Sequence, residues 1–275
     1  MAPYIRFRLF SLENFQDETL AARFIGMMRQ HPDFIPDKYD CEQPPKHVLK
    51  DKNDLAPLIR LWMNDDANEA RARSPVPHAE GHLLLESKKK HQIALAVSWQ
   101  KRNVRHFNTL QLTVNSHVLM KKEKLDDFLR LCEQLVVTLK AVKASIANSA
   151  FPAFWEPVDL SVIHPEIQWM EYFGPPYVAL FGERKLLSAP CRKTVRVHEH
   201  CIALQMTESV FFPVSQSLRD TVKRHIGQEA FVAGGKSYID YEHGSPVAPS
   251  FDYANVLYDA AMPIEEDESF RLDRS

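Results

Sequence analysis

The chain has 275 residues, of which 45% are hydrophobic and 25% charged, which is the composition of an ordinary globular protein and excludes disordered and collagen-like classes. Its longest apolar run, at 93–99, falls short of a membrane-spanning helix, so we expect a soluble protein. The net charge of −2 conceals an asymmetry: residues 1–150 hold 23 Lys and Arg against 18 Asp and Glu (+5), and residues 151–275 hold 11 against 18 (−7). The acidic half argues against nucleic-acid binding there, because phosphates are bound by basic surfaces.

The N-terminal segment and the cysteines bear on the compartment. Arginines interrupt the apolar residues of MAPYIRFRLF, whereas a secretory signal has a continuous apolar core. The four cysteines, at 41, 132, 191 and 201, form no C-x-x-C pair and show no tight disulfide spacing. We expect a cytoplasmic protein in a reducing environment.

The first 80 residues are predicted to form a helical N-terminal part. Asp17 precedes apolar residues at helical spacing as far as Met28, and the His-Pro pair at 31–32 ends that pattern. A second short helix is entered from Asp54 and contains Trp62.

From residue 93 the apolar period changes from helical to two. The apolar residues of 93–99 and of 110–114 each share one face, which predicts an antiparallel pair of strands with one solvated face. The strongest helical pattern follows, because apolar residues recur at i, i+3, i+4 and i+7 from Leu125 to Val142. This helix is expected to pack on the sheet.

The second half repeats that order loosely. Residues 158–162 alternate like a strand, and KTVRV and CIALQM flank the polar HEH as a predicted hairpin. A helix is predicted to begin near Ser217, which forms a capping-box-like pair with Asp220, and to end at Gly227. The order strand, strand, helix therefore occurs twice. This order favours an α+β fold in which antiparallel strands carry helices on one face, and it is compatible with a pseudo-duplicated strand-strand-helix unit.

The pattern predicts one domain followed by an extension. Residues 1–235 are expected to form a single α+β domain, with the helical part at 1–80 and the core at 81–235. Residues 236–275 read as an irregular acidic C-terminal extension that contains EEDE at 265–268.

Two histidines in the predicted hairpin are the candidate metal ligands. His198 and His200 are two residues apart, so on a strand both would point to one face and hold two corners of a metal site. No third ligand follows from spacing, and a hairpin turn needs polar residues at the same place. A metal-dependent enzyme built on this pair is therefore an alternative, and the main expectation is that the protein binds no metal.

The remaining nucleophiles and carboxylates favour no catalytic chemistry. Cys132 lies on the apolar face of the long predicted helix and is expected in the core. Glu171, Glu183 and Glu208 are interpreted as surface charges, because pairing of carboxylates cannot be derived from spacing. The phosphate-binding, dinucleotide, hydrolase and zincin motifs are missing from the sequence. We expect a protein that is not an enzyme and uses no cofactor.

The stretch WMEYFGPPYVALFG at 169–182 contains five aromatics, two glycines and a Pro-Pro pair in a chain with eight glycines. Gly174 can adopt backbone angles that other residues resist, and proline suits a first helical turn. The stretch is therefore predicted to be a strand, a corner and a short helix ending at Gly182. Its motif residues are expected to be structural rather than part of a binding site: Trp169, Tyr172, Phe173, Gly174, Pro175, Pro176 and Gly182.

The candidate partner-binding residues lie near the C-terminus. Tyrosine beside carboxylates in SYIDYEHG, at 237–244, suits an interface with a basic partner, although an ordinary edge or loop has a similar composition. The candidates from this segment and the acidic tail are Asp240, Tyr241, Glu242, Glu265 and Glu266.

The corner also resembles a known family. Four segments of this chain are similar to motifs of the bacterial immunity protein 52 family. They are the aromatic-Tyr-Phe-Gly-Pro-Pro corner at 172–176, the LL-small-Ala-Pro segment at 186–190, the Gln-x-Thr strand at 205–207 and the His-aliphatic-Gly helix end at 225–227. The similarity is clearest over residues 160–232, and the first 80 residues and the tail after 235 do not match motif by motif.

The resemblance implies a non-catalytic inhibitor of a co-encoded nuclease toxin that has a restriction-endonuclease-like fold. Such toxins are delivered between competing Gram-negative bacteria, such as pseudomonads, by type VI secretion. The expected partner is this cognate toxin, and direct nucleic-acid, membrane or small-molecule binding is not expected. An effector chaperone or adaptor that carries the toxin to the secretion machine is the alternative.

Overall fold

The computed structural model describes residues 3–63, 80–87, 92–101, 103–151, 160–233, 247–257, 261 and 263–264. Its strands are β1 (Tyr4–Ser11), β2 (Lys38–Asp40), β3 (His47–Val48), β4 (Glu80–Glu86), β5 (Ile93–Gln100), β6 (Asn108–Asn115), β7 (Ala141–Asn148), β8 (Met170–Phe173), β9 (Lys193–His198) and β10 (Cys201–Gln205). They form one sheet in the order β3-β2-β4-β5-β6-β1-β7-β8-β10-β9, in which neighbouring strands pair antiparallel.

Six α-helices accompany the sheet in the described part of the chain. They are α1 (Glu18–Met28), α2 (Ala56–Met63), α3 (Lys122–Thr138), α4 (Pro175–Phe181), α5 (Glu183–Leu187) and α6 (Gln216–Ile226). The predicted α+β class with an antiparallel sheet is confirmed. Within the described ranges, none of the helices combines the length and apolarity that a membrane crossing requires.

Strand β1 lies in the middle of the sheet, between β6 and β7. Ile5, Phe7 and Leu9 are fully buried on one side of it, and Arg6 and Arg8 alternate with them on the other. The description of residues 1–80 as a helical part is therefore corrected, although α1 and α2 occur as predicted. The alternation of arginine and apolar residues that argues against a secretory signal is also the period-two pattern of a strand.

The side of the sheet that carries Phe7, here called the first face, is covered by α1, α2 and α3. Trp62 of α2 stacks on Trp99 of β5 with ring centroids 5.7 Å apart. Phe24 of α1 packs against the indole of Trp62 with ring centroids 5.3 Å apart. The two ring nitrogens of buried His31, just after α1, each lie 2.9 Å from an oxygen of α3. The N-terminal helices and α3 thus form one layer over the apolar row of β1.

The opposite side, here called the second face, is covered by the C-terminal helices. Lys143 of β7 pairs directly with Phe173 of β8, so both point to this face, and the ring of Phe173 packs 5.6 Å from that of Tyr177 in α4. Tyr172 points the other way and meets Phe7 edge-on at 6.3 Å. Helices therefore lie on both faces, which corrects the prediction of one face. The reason is local: all four residues of β8 are buried, as in a strand covered on both sides.

Three predicted boundaries differ in the structure. Helix α3 ends at Thr138, because Lys140 adopts φ +42°, and Val142 belongs to β7. Helix α6 is capped by Ser215, whose hydroxyl accepts a hydrogen bond from the amide of Leu218 at 3.2 Å, so the predicted start at Ser217 is two residues late. Residues 160–162 form a turn rather than a strand, and residue 158 lies outside the described residues.

The predicted division at residue 235 stays a prediction, because residues 234–246 lie outside the described residues. The described segment 247–257 belongs to the predicted extension. Its Phe251 packs edge-on against Phe107 at 4.9 Å, and its Tyr253 lies 5.4 Å from the same ring. This part of the extension therefore contacts residues next to the sheet.

Candidate functional site

The corner between β8 and α4 is built on a close approach of two backbones. The amide of Gly174 donates a hydrogen bond to the carbonyl of Val142 at 3.0 Å. A Cβ at this position would lie 2.9 Å from the Cα of Val142 and closer still to the carbonyl oxygen of Ala141. Gly174 has φ −80°, which any residue can adopt. The expected role of this glycine, an unusual backbone angle, is therefore wrong, and the role is space.

The short helix α4 begins and ends as the motif predicts. Pro175 and Pro176 occupy its first turn, where missing amide hydrogens carry no cost. Gly182 follows its last residue with φ +84°, a region in which a side chain is strained. The strand, corner and helix predicted from 169–182 are thus confirmed.

The aromatic residues of the corner contact the protein's own core. Phe173, Tyr177 and Phe181 pack on one another, and Phe181 stacks on Phe231 with an interplanar angle of 5°. Trp169 is buried, and its indole nitrogen donates to the carbonyl of Thr207 at 3.1 Å. These contacts agree with a structural role, which stays a prediction until the corner is mutated.

A buried ion pair lies beside the corner on the second face. The Nζ of Lys143 lies 3.6 Å from the Oε2 of Glu171, and the two residues are 2% and 0% exposed. The Oε1 of Glu171 accepts a hydrogen bond from the amide of Gln168 at 2.7 Å. Burial lowers the pKa of Lys143 and raises the pKa of Glu171, and their mutual attraction opposes both shifts. The interpretation of Glu171 as a surface charge is therefore wrong.

The other two carboxylates of that prediction do lie on the surface. Glu183 is exposed and pairs with Arg196, and Glu208 is exposed and lies 4.0 Å from Arg192. The three glutamates are thus held by different partners rather than by one site. They provide no paired carboxylates for acid–base chemistry.

Buried His164 adjoins the aromatic corner. Its Nδ1 lies 2.6 Å from the carbonyl oxygen of Pro165, so Nδ1–H donates there, and its ring lies 5.1 Å from that of Tyr177. Burial and then the charge of Lys143 lower the pKa of His164 well below its usual value. The imidazole is therefore neutral at pH 7, and among the described residues its Nε2 has no hydrogen-bond partner.

A second set of charges fastens α6 to the loop before β8. The Nζ of Lys223, which is buried, lies 3.0 Å from Glu166 and 3.2 Å from Asp220. The guanidinium of Arg219 donates to the carbonyl of Ile167 at 2.9 Å. These contacts hold the helix in place over the second face.

The histidine pair occupies the tip of the β9–β10 hairpin. His198 is the last residue of β9 and His200 lies in the turn, so they do not share a strand face as predicted. Both are exposed, their ring centroids are 6.4 Å apart, and His200 lies 3.6 Å from Glu199. Among the residues with described positions, no group of three or more His, Cys, Asp or Glu side chains is arranged to hold a metal ion.

Cys132 lies fully buried in α3, as its helical position predicts. Burial raises the pKa of its thiol well above the usual value, with a smaller contribution from Glu133. The thiol is therefore protonated at pH 7, and this residue is part of the core.

The candidate partner-binding residues Asp240, Tyr241, Glu242, Glu265 and Glu266 lie outside the described residues. Their assignment stays a prediction. The described surface adds one feature of the interface type, a shallow cleft beside Phe212, whose side chain is 67% exposed. Trp169 and Arg219 line the same cleft, and these are residue types enriched at binding hot spots.

The sequence prediction did not find the buried charges of the second face. Lys143 is the one charged residue of AVKASIAN, the segment that forms β7, and a lone lysine in a strand of small and apolar residues was an available signal. His164 and Glu171 have no such local signature. Their burial depends on packing between segments far apart in the chain.

The chain matches no protein-family model and no curated protein. Among solved structures it is similar to the Pseudomonas aeruginosa T6SS protein PA0821, with a TM-score of 0.52 and 12% sequence identity. The similarity covers 90% of this chain and 78% of that chain. At this identity the likeness defines the fold alone, and the class of protein is an α+β chain built on one antiparallel sheet.

Proposed function

We propose that this protein is an immunity protein that binds and neutralises a cognate nuclease toxin of a type VI secretion system. The observation that carries the proposal is the fold likeness along 90% of the chain to a protein named for that system. The resemblance of the corner and the segments after it to the immunity protein 52 family supports the same direction. The proposed inhibitor is non-catalytic and acts in the cytoplasm, where it protects the chromosome.

The rigidity of the corner at 169–182 and of the strands beside it supports a binding role. Gly174 of the corner approaches β7 closely, and Phe173, Tyr177 and Phe181 pack on one another over the second face, which supports the expectation that the corner is part of a rigid scaffold. The buried pair of Lys143 and Glu171 ties β7 to β8 in the same region. A preorganised scaffold suits tight binding, because little conformational freedom is lost on association.

The charge asymmetry provides a physical route to recognition. The C-terminal half carries a net charge of −7, from 11 basic and 18 acidic residues. A nuclease must bind DNA through a basic surface, and complementary charge raises the association rate and suppresses wrong partners. Occlusion of the DNA-binding cleft is the proposed mode of inhibition.

An effector adaptor is the competing function, because the name of the structural neighbour fits it equally well. An adaptor would bind the toxin but leave its active site working. The two functions therefore differ in what happens to DNA cleavage when the complex has formed.

The test is a plasmid-degradation assay with the nuclease encoded beside this gene. The purified protein is titrated into a fixed amount of nuclease, and native mass spectrometry measures the stoichiometry of the complex. Serum albumin at equal concentration controls for non-specific protection. Loss of cleavage at the stoichiometry of the complex is expected for an immunity protein.

The other outcomes have separate meanings. A stoichiometric complex that still cleaves plasmid would replace the immunity function by the adaptor function. No complex at micromolar concentrations would contradict both, and direct elemental analysis would then test the alternative of a metal enzyme at His198 and His200.

A further inference from the structure

The sheet ends in two edge strands of different length. Strand β3 has two residues, whereas β9, at the opposite end of the order, has six, from Lys193 to His198. In the described part of the chain, β10 is the only strand that pairs with β9. An edge strand presents amides and carbonyls with which a further strand can pair, and proteins usually keep such strands short or cover them. Strand β9 is therefore the edge that is long enough to accept another strand.

The pairing of the inner strands determines which groups of β9 point outward, because successive residues of an antiparallel strand direct their amide and carbonyl to opposite neighbours. The amide of Gly174 donates to β7 at 3.0 Å, so Phe173, one residue earlier, directs its groups to β10. There Phe173 pairs with Ile202, and the next residue, Ala203, points the other way, to β9. Ala203 pairs with Val195, so Val195 points inward and its two neighbours in the strand point away from the sheet.

These outward groups belong to Thr194 and Arg196. Within the described ranges, their amides donate no hydrogen bond and their carbonyls accept none. The two side chains are held by α5: the hydroxyl of Thr194 donates to the carbonyl of Leu187 at 2.9 Å, and Arg196 pairs with Glu183. The helix therefore fixes the position of β9 and leaves the outer backbone of this strand available.

Exposed apolar side chains lie on both sides of this edge. Helix α5 contacts β9 and ends at Leu187, whose side chain is exposed. Helix α3, which covers the first face, contacts β9 from the other side. Its Glu133, on which the charge of Lys193 acts, lies one turn before Val137, which is exposed as well. A strand added at β9 would cover apolar surface and also complete the hydrogen-bond ladder.

We propose that the open edge of β9 is the docking site for an extended segment of the nuclease toxin, which adds to the sheet as a further strand. The identity of the partner rests on the proposed function above, whereas the site itself rests on the outward groups of Thr194 and Arg196. The segment carries acidic side chains opposite these two residues and an apolar side chain opposite Val195.

The chemistry of the edge selects a polypeptide as its occupant. The outward groups are donors and acceptors in turn, and another strand supplies both, whereas a phosphate backbone supplies acceptors alone.

The side chains of the edge favour an acidic strand. Residues 192–198 include three Lys or Arg and no acidic residue, and opposite charges across paired strands are stabilising. The nearby carboxylates of Glu183 and Glu208 are exposed, and exposed ion pairs are weak enough to exchange partners. A second copy of the chain is disfavoured, because it would bring another basic strand to the same edge.

The first measurement is amide hydrogen exchange of the free protein, followed residue by residue by NMR at two protein concentrations. The amides of Thr194 and Arg196 are expected to exchange at least about tenfold faster than the inward amide of Val195. Slow exchange of all three at both concentrations would show that another part of the chain already covers the edge. Slow exchange only at the higher concentration would show that a second copy covers it. Either result would overturn the proposal.

The same measurement on the complex tests the occupant. Stoichiometric toxin is expected to slow exchange of the Thr194 and Arg196 amides by at least about tenfold, because both become hydrogen-bonded. Val48 in β3 is the control at the opposite edge. The amide of the next residue, Leu49, donates to the carbonyl of Asp37 at 2.8 Å, so that of Val48 points outward. Its exchange should not change when toxin binds.

A matched pair of variants tests the outward amide itself. Thr194→Ala and Thr194→Pro both remove the hydroxyl, but only the second removes the amide hydrogen, and proline is tolerated in an edge strand where its nitrogen faces outward. By calorimetry, Thr194→Pro is expected to bind the toxin at least about tenfold more weakly than Thr194→Ala, because it loses a hydrogen bond and its ring obstructs the added strand. Val48→Pro should bind like wild type.

Thermal unfolding without toxin shows whether the variants are folded. Equal affinity of folded Thr194→Pro and Thr194→Ala would overturn the proposal. If Thr194→Pro does not fold, hydrogen exchange of the wild-type complex decides, because it needs no substitution.

These measurements separate failure of the site from failure of the function. Toxin that is bound and inhibited without slower exchange at Thr194 and Arg196 contradicts the docking site and leaves the proposed function intact. Toxin that is not bound at all contradicts the function and with it the named occupant. Exchange in the free protein separately decides whether the edge of β9 is open.

Discussion

Replacing Gly174 by alanine tests the packing of the corner most sharply. The structure predicts that the new Cβ would lie 2.9 Å from the Cα and 2.9 Å from the carbonyl oxygen of Val142, and nearer still to the carbonyl of Ala141. All of these atoms are backbone, so no side chain can move aside. The strand and helix must separate, or β7 must shift.

The expected cost follows from two contributions. Overpacking against fixed atoms costs roughly 1–3 kcal/mol, and weakening the 3.0 Å hydrogen bond from the Gly174 amide to Val142 removes about 1 kcal/mol more. The sum of about 2–4 kcal/mol corresponds to a melting temperature lower by about 4–16 °C, at about 2–4 °C per kcal/mol for a chain of this size.

Two other glycines provide matched controls for thermal unfolding. Gly182→Ala should cost roughly 1–2 kcal/mol from its φ of +84°, since its Cβ would meet nothing within 4 Å. Gly26→Ala, in the middle of α1 with open space around it, should gain about 0.5–1 kcal/mol. If Gly174→Ala melts at the wild-type temperature while the controls behave as stated, the close approach of β7 and the corner is wrong.

Three further predictions concern charge and capping. Glu171→Leu alone should lower the free energy of unfolding by about 3–5 kcal/mol, because it leaves the charge of Lys143 buried and unpaired. The double variant Glu171→Leu/Lys143→Met should unfold at nearly the wild-type denaturant concentration. An equal loss of stability in the single and the double variant would contradict this. Burial acts to raise the pKa of Asp40, but hydrogen bonds from the backbone amides of Lys46, Cys41 and Glu42 outweigh burial and lower this pKa from 3.8. The ionised carboxylate therefore stabilises the folded protein, and this contribution is lost only as the pH falls below 3.8. The stability gap between wild type and Asp40→Asn should therefore be constant from pH 5 to 7 and shrink below about pH 4, and a gap that widens in acid would refute it. Ser215→Ala should cost about 0.5–2 kcal/mol and Ser217→Ala much less, which thermal unfolding of the pair checks.

Local patterns predicted the elements better than their arrangement. The alternation in β5 and β6 and the apolar spacing in α3 were sufficient, because each pattern is complete within one segment. The central position of β1 depends on pairing with residues more than 100 positions away, as in Phe7 opposite Leu112. Helix α3 ends before its apolar pattern does, because Lys140 turns the chain into β7.

The candidate site shows the same limit. The corner at 169–182 was predictable because glycine and proline act on their own backbone. Glu171 is a different case: its environment is decided by Lys143 on another strand, and one sequence cannot place the two together.

The most direct measurement of the central claim is survival of cells that express the neighbouring nuclease from an inducible promoter, with and without this protein. A catalytically inactive nuclease sets the level of full survival, and the integrity of chromosomal DNA is measured in the same cultures. The account predicts that co-expression restores survival to that level and leaves the DNA intact. Equal killing and equal DNA degradation with abundant folded protein present would contradict it.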